Sequence, residues 1–292
     1  MVTSRHERYP YSSITERRDF DWPDGRRLAV YLGLNLECFS FGEGLGAELA
    51  PGGPQPDVLN YAWRDYGNRV GAPRLRELLD RLGLPATVLV NSDLYEAAPG
   101  LVESFSARGD EIAGHGRTNA ERQGVLPEAE ERALIEEATA VLTEREGRAP
   151  QGWLGPWISQ SHVTPDLLAE AGYRYLLDWC HDDQPVWMET RAGRILSVPY
   201  PQELNDIPQI VARRQEAPAF AAMIRDAFEV LLEESARRPR VMGIALHGYL
   251  MGQPHRIGHL ESALRHLLAH GGDRVWWTTA GAISEHFRAL DA

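Results

Sequence analysis

The chain has 292 residues, of which 43% are hydrophobic and 25% are charged, and its formal net charge is −12. This length fits one large α/β domain or two average ones, with enough apolar residues for a substantial core. The acidic balance and the lack of a Lys/Arg stripe argue against a nucleic-acid partner.

Eight short segments rich in branched and aromatic residues predict buried strands, over residues 28–36, 86–90, 111–114, 151–154, 173–177, 194–198, 241–246 and 275–278. Amphipathic spacing and capping signals predict helices over residues 75–82, 99–107, 127–146, 217–236, 256–270 and 281–290, and another that begins at 164. Residues 1–27 are interpreted as an N-terminal arm and residues 28–292 as a single barrel domain. Alternating strands and helices predict a parallel sheet with crossover helices, and this length favours a (β/α) barrel over an open doubly wound sheet.

Ionisable and amide side chains stand at the ends of several predicted strands. Asn35 and Glu37 end the first strand, His115 and Asn119 follow the third, and His247 ends the seventh. Because the carboxyl ends of parallel barrel strands lie at one mouth, we expect these side chains to converge. Two imidazoles and a carboxylate at one rim can serve as general acid and base or as metal ligands.

Six short motifs extend the pattern along most of the chain, from about residue 22 to residue 287. They are Asn35-Leu-Glu37, Tyr66-Gly-Asn-Arg-Val-Gly71, Glu111-Ile-Ala-Gly-His-Gly116, Gly152-Trp-Leu-Gly-Pro156, Asp182-Asp-Gln-Pro-Val-Trp187 and Gly252-Gln-Pro-His-Arg256. Together they resemble the polysaccharide deacetylase, or NodB-homology, superfamily, and within it the branch of cofactor-independent allantoinase-like and cyclic-imide-hydrolase-like proteins. The resemblance implies a distorted (β/α)7 barrel and hydrolysis of a carbon–nitrogen bond other than a peptide bond.

The chain departs from the metal-dependent members, which carry an Asp-x-Asp pair and a His-x-x-x-His pair. These positions hold Asn35 and Glu37, then His115 and Asn119. One carboxylate, one imidazole and one amide make a poor zinc set, because zinc prefers nitrogen and sulfur ligands. We therefore expect no cofactor. The alternative is a divalent metal such as zinc, held by Glu37 and His115 together with Asn119, water or His247.

A mechanism without metal needs a base for water, donors for the tetrahedral oxyanion and an acid for the leaving nitrogen. We expect Glu37 or His115 to activate water and His247 to protonate the departing nitrogen. Asn35 and Asn119, with backbone N–H groups, are the candidate oxyanion donors and substrate contacts.

Five further side chains are candidates for substrate binding: Arg69, Trp157, Asp183, Trp187 and His255. Each also has a structural interpretation. The arginine could form a salt bridge, the aspartate could cap a loop, the histidine could contact a neighbouring subunit, and the tryptophans could pack in the core or line the pocket.

The predicted function is metal-independent hydrolysis of an amide, imide or ureide in a small molecule. The alternatives are a metal-dependent N-deacetylase of a polysaccharide or amino sugar, and a non-catalytic binding protein on the same fold. No apolar signal core or membrane-length run is present, so we expect a cytoplasmic protein with no membrane partner. The resemblance implies a homo-oligomer, with a tetramer as the expected state.

Overall fold

A computed structural model describes residues 6–291, and its centre is one curved sheet surrounded by helices. The strands are β1 (Leu28–Leu36), β2 (Thr87–Val90), β3 (Glu111–Gly114), β4 (Gly152–Trp153), β5 (Tyr175–Leu176), β6 (Val186–Thr190), β7 (Gly193–Ser197), β8 (Arg240–His247) and β9 (Val275–Thr278). The helices are α1 (Val58–Tyr66), α2 (Ala72–Leu82), α3 (Leu94–Ala97), α4 (Leu101–Ser106), α5 (Glu128–Glu146), α6 (Thr164–Glu170), α7 (Ala217–Ser235), α8 (Pro254–Gly271) and α9 (Ala280–Ala289).

The strand order confirms the predicted distorted (β/α)7 barrel. Neighbouring strands follow the order β6-β7-β5-β4-β3-β2-β1-β8, and β9 pairs with the first half of β1. Pairing is parallel throughout except in the β6–β7 hairpin, so β1 to β5, β7 and β8 form a curled wall of seven parallel strands. The sequence did not predict β6, whose residues overlap the Asp182–Trp187 motif.

The wall is incomplete between β7 and β8, and the loop of residues 199–206 bridges this gap. The backbone N–H of Ala245 in β8 donates to the carbonyl of Leu204 at 2.9 Å, and Asn205 forms a single parallel bridge with Ala245. This closing loop therefore lies along the edge of β8 that does not pair with β1, close to the strand end that carries His247.

Alternate strand residues point into the barrel, as the two-residue period of a strand requires. Ala29 and Tyr31 of β1 and Ala245 of β8 belong to the buried cluster inside the sheet. Small residues leave room for the tyrosine rings that cross the interior; a Cβ at Gly33 would lie 3.2 Å from the ring of Tyr200. The same alternation directs Asn35 to the inside at the carboxyl end of β1.

The arm packs on the barrel more tightly than its polar sequence predicted. Trp22 is 1% exposed and its indole N–H donates to the carbonyl of Arg240 at 3.0 Å. Arg17 forms a bidentate pair with Asp182, at 2.7 and 2.5 Å. The boundary at residue 27 between arm and barrel domain stays a prediction. Within residues 6–291, no helix has the length and apolar character that a membrane crossing demands.

Candidate active site

The three predicted catalytic side chains meet at the carboxyl ends of the strands. Glu37 follows β1, His115 follows β3 and His247 ends β8, and all three are at most 4% exposed. They line one cavity of about 140 Å³. Glu37 lies between the two imidazoles, since its Oε1 is 3.6 Å from His115 Nε2 and 3.4 Å from His247 Nε2.

Glu37 is fully engaged by donors. Its Oε1 accepts a hydrogen bond from Asn119 Nδ2 at 2.6 Å, and its Oε2 accepts one from the Tyr249 hydroxyl at 2.8 Å. Burial alone would raise the pKa of this carboxyl, but the two imidazoles beside it, His247 above all, outweigh burial and hold the pKa well below its usual range. Glu37 is therefore a stable anion and a weak base.

His247 is paired with a second buried carboxylate. Its Nδ1 lies 2.6 Å from Asp206 Oδ1, and its backbone N–H donates to Asp206 Oδ2 at 2.8 Å. Burial would lower the pKa of this imidazole, but the negative charges of Glu37 and Asp206 outweigh it and raise the pKa to about 10. His247 is therefore an imidazolium at neutral pH, and the proton on its Nε2 is available at the cavity.

His115 presents the opposite chemistry. Its Nδ1 lies 2.7 Å from the carbonyl oxygen of Leu154, which can only accept, so Nδ1 carries the hydrogen. In the neutral ring Nε2 then holds a lone pair. This buried Nε2 has no hydrogen-bond partner among the described residues. His115 can thus take a proton at the cavity wall, where His247 can give one.

Asn119 has an orientation that can be deduced from the backbone. The N–H of Cys38 donates to Asn91 Oδ1 at 2.8 Å, so the Asn91 amide nitrogen must point the other way. That nitrogen donates to Asn119 Oδ1 at 3.0 Å. Asn119 consequently turns its own N–H groups, and not its oxygen, towards Glu37.

These side chains do not fit the metal that the superfamily resemblance allows. Asn119 presents amide hydrogens where a ligand atom would be needed, and Glu37 already accepts bonds on both oxygens. A search of residues 6–291 finds one group of three His, Cys, Asp or Glu side chains whose donor atoms all lie within 4.8 Å of one another, and it is not at this cavity. As they are oriented here, these donors differ from the ligand set that zinc prefers, and metal independence stays a prediction.

Asn35 and Tyr200 form the side of the cavity next to β1. The amide nitrogen of Asn35 donates to the Tyr200 hydroxyl at 3.0 Å and to the carbonyl of Leu246 at 3.3 Å, so both of its hydrogens are used. Burial raises the pKa of Tyr200, which therefore keeps its hydroxyl hydrogen. The Tyr200 hydroxyl hydrogen points to Asn35 Oδ1 over a long 3.5 Å, so it can turn to a substrate more readily than the two engaged amide hydrogens of Asn35.

The opposite wall is a strained loop after β4. Trp157 and Ile158 both line the cavity, and both adopt left-handed backbone angles, with φ of 64° and 53°. Such conformations cost roughly 1–3 kcal/mol each in non-glycine residues. The indole N–H of Trp157 donates to the carbonyl of Asn119 at 2.9 Å, which ties this loop to the catalytic groups.

A buried glutamate of α5 holds the loop in place. Glu131 is fully buried and accepts hydrogen bonds from Gln123 Nε2 at 2.9 Å, from the Ser161 hydroxyl at 2.5 Å and from the Thr164 hydroxyl. The bonds from Ser161 and Thr164 fix the carboxyl end of the segment that carries Trp157. Gln123 connects Glu131 to the start of that segment, because its Oε1 accepts the indole N–H of Trp153 at 3.1 Å.

Four predicted substrate contacts lie outside the cavity, and this corrects those assignments. Arg69 has a side chain that is 74% exposed and is paired with Asp65. Asp183 is 54% exposed, and His255 is exposed in the first turn of α8. Trp187 packs beside the arm, with the Arg194 and Arg288 guanidinium groups over its ring. None of them is among the residues that line the cavity.

Three contributors were missed: Asp206, Tyr200 and Tyr249. Tyr200 could have been found, because inward positions at 196 and 198 continue to 200 by the strand period. Tyr249 could have been found in the same way, because it lies two residues after His247, one strand period further along the chain. Asp206 lies in the closing loop and had none.

The fold and cavity agree with comparisons to known proteins. A sequence profile described as polysaccharide deacetylase matches residues 59–176, a range that holds His115 and Asn119. Residues 59–176 are therefore similar to polysaccharide deacetylases. A Schizosaccharomyces pombe (strain 972 / ATCC 24843) protein named a polysaccharide deacetylase is 27% identical over 301 residues, which cover 92% of this chain and 92% of that protein.

Two solved structures are similar over nearly the whole chain. One, described as a probable polysaccharide deacetylase from Pseudomonas aeruginosa PAO1, has a TM-score of 0.84 and 29% identity and covers 96% of this chain and 98% of its own. The PuuE allantoinase has a TM-score of 0.83 and 26% identity, with the same 96% and 98% coverage. The predicted enzyme class, a hydrolase of carbon–nitrogen bonds other than peptide bonds, is confirmed.

Proposed function

We propose that the chain hydrolyses an amide, imide or ureide bond of a small uncharged molecule by general acid/base catalysis without a metal ion. The observation that carries this proposal is the pair of unlike imidazoles on either side of Glu37. His115 offers a lone pair and His247 offers a proton, so the two proton transfers of hydrolysis each have a group of suitable state.

In the proposed reaction His115 Nε2 takes a proton from water while the water oxygen attacks the substrate carbonyl. The resulting oxyanion accepts a hydrogen bond from the Tyr200 hydroxyl, which lines the same cavity. The carbon–nitrogen bond then breaks as His247 Nε2 transfers its proton to the leaving nitrogen.

Glu37 has a supporting role in this scheme. After turnover His115 is protonated and His247 is neutral, and the carboxylate between them stabilises the positive charge in either position. Its Oε1, within 3.6 Å of both Nε2 atoms, is also a route for returning the proton from His115 to His247. The low pKa of Glu37 keeps it an anion at rest, so a proton that it accepts from His115 passes on to His247.

The cavity favours a small neutral substrate over a polymer. Its volume of about 140 Å³ is below the roughly 300–1,000 Å³ of sites for drug-sized ligands. Among the described residues that line it, none is Lys or Arg, and the His247 imidazolium is already paired with Glu37 and Asp206. A carboxylate or phosphate on the substrate would therefore lack a free cationic partner. Phe39, Ile158 and Ile207 supply apolar surface suited to a flat ring.

The experiment is a hydrolysis assay on uncharged cyclic imides, ureides and N-acyl amines, before and after chelation by EDTA. We expect turnover that survives chelation and falls by about 10²–10⁴-fold in His115→Gln and His247→Asn. His162→Gln, an exposed histidine away from the cavity, is the matched control. Circular dichroism and denaturant unfolding should show that each variant folds.

Three outcomes would overturn parts of the proposal. Activity that chelation abolishes and zinc restores would support the metal-dependent deacetylase instead. Ligand binding without turnover would support a binding protein. Full activity in His115→Gln with none in Glu37→Gln would move the base to Glu37. The cytoplasmic location and the homo-oligomeric state stay predictions.

A further inference from the structure

A cluster of metal-ligand side chains lies on the outer helices. His266 and His270 are one turn apart on α8, and Glu229 faces them from α7. The donor atoms of the three side chains all lie within 4.8 Å of one another. Two histidines at positions i and i+4 share a helix face, which is the spacing that lets both imidazoles reach one cation.

The cluster is already ordered by its hydrogen bonds. His266 Nε2 is 2.7 Å from Glu229 Oε1, so the carboxylate and the first imidazole are in contact. His270 Nδ1 lies 2.9 Å from the backbone carbonyl of His266, which can only accept. This bond places the hydrogen on Nδ1 and leaves the His270 Nε2 lone pair free, the arrangement found behind metal-bound histidines.

The two imidazole rings are also stacked. Their centroids are 3.9 Å apart and their planes differ by 25°. The Glu229 side chain is 50% exposed and that of His266 is 29% exposed, so a cation from solvent can reach the cluster. Side-chain rotations that unstack the two rings would bring the three donors to about 2.0–2.2 Å from one ion.

We propose that Glu229, His266 and His270 form a surface site for a divalent transition-metal cation of the zinc type, with water in the remaining position. Two imidazoles and one carboxylate are a donor set that zinc accepts, whereas calcium and magnesium require oxygen ligands. Because the ligands come from two helices, the bound ion ties α7 to α8. The site lies apart from the catalytic cavity and does not depend on the proposed reaction.

The same helix supplies an internal control. His255 and His259 have the same i, i+4 spacing on α8 and are both exposed. In the part of the chain that the structure describes, no carboxylate joins this second pair within the same distance. Spacing alone therefore predicts two sites, and the structure predicts one.

The test is calorimetric titration of the full chain with zinc chloride, with thermal unfolding measured in parallel. We expect one zinc per chain at the cluster, at least tenfold weaker binding in His266→Ala and in His270→Ala, and weaker binding in Glu229→Gln. The His255→Ala/His259→Ala double variant should bind as the wild type does, and zinc should raise Tm in it and in the wild type but not in His270→Ala.

Binding that persists in a His266→Ala/His270→Ala double variant would overturn the proposal, as would no binding by the folded wild type. Equal loss in the control double variant would show that the helix attracts zinc through its histidines in general and would also refute this site. Activity on an amide substrate is not part of the readout, so failure here leaves the proposed hydrolysis intact.

Discussion

The two sides of the barrel mouth are built differently. On one side Glu37, His115 and His247 are carried by strands whose register with their neighbours is continuous, as in the pairing of Asn35 with His247. On the other side Tyr200 and Asp206 lie on loops. In the proposed reaction the strand side supplies the groups that exchange protons, and the loop side sets the charge of those groups and the shape of the cavity.

The two sides differ in how their side chains are held in position. A strand end can place a side chain accurately with few other contacts, because the sheet hydrogen bonds already define its position. A loop must be held by side-chain bonds of its own, as Glu131 holds the segment around Trp157. Substitutions on the loop side should therefore change charge and geometry while the imidazoles stay in place.

The largest effect should come from Asp206→Asn. The asparagine can still accept the backbone N–H of His247, but the imidazolium loses its closest charged partner. Breaking such a buried pair typically costs about 3–5 kcal/mol of unfolding free energy. Denaturant unfolding measures this, and Glu203→Gln in the same loop, an exposed carboxylate, should lose far less. Equal losses of unfolding free energy in the two variants would show that the pair of Asp206 and His247 does not stabilise the fold.

Tyr200→Phe should act on the rate more than on stability. If the hydroxyl donates to the oxyanion, its removal should lower kcat by about 10²–10³-fold while KM changes little. Tyr31→Phe is the matched control, because Tyr31 is also inside the barrel but donates to the carbonyl of Pro199. Wild-type kcat in Tyr200→Phe would remove this residue from the mechanism.

Glu131→Gln should loosen the wall that carries Trp157. The glutamine cannot accept all the bonds that the carboxylate accepts, and each buried donor left without a partner costs about 1–3 kcal/mol. We expect lower stability and a raised KM, since the left-handed Trp157 backbone would relax. As the control, Glu130→Gln, at an exposed neighbouring residue, should change neither the unfolding free energy nor KM.

The smallest change from one measurement to the next is expected in the pH dependence of stability. The pKa of His247 is about 10 in the folded chain against an ordinary 6.5, so the folded state alone holds this proton between those values. The stabilising contribution of His247 is therefore complete below pH 6.5 and is lost as pH rises through about 10. The unfolding free energy of the wild type should fall relative to His247→Asn by about 1.4 kcal/mol per pH unit in this window. A constant difference would mean that His247 is neutral.

The barrel and the strand-side groups could be predicted from residue patterns. Alternating strand and helix signals indicated the parallel sheet, and apolar runs ending in Glu37, His115 and His247 indicated one mouth. Local patterns are enough for these predictions, because the two-residue period of a strand and the position of its carboxyl end can be seen in consecutive residues. Arg69 and Trp187 were misplaced because a motif does not say which of its side chains face inward.

The sequence by itself determined the fold and the three groups that converge, whereas a reaction without metal stays a prediction. Only the tertiary structure decided which imidazole is charged, since Asp206 meets His247 across 41 residues. It also decided that Asn119 turns its N–H groups to Glu37, through a bond that begins at the Cys38 backbone. Protonation and amide orientation depend on which groups are neighbours in space, and no local pattern along the chain records that.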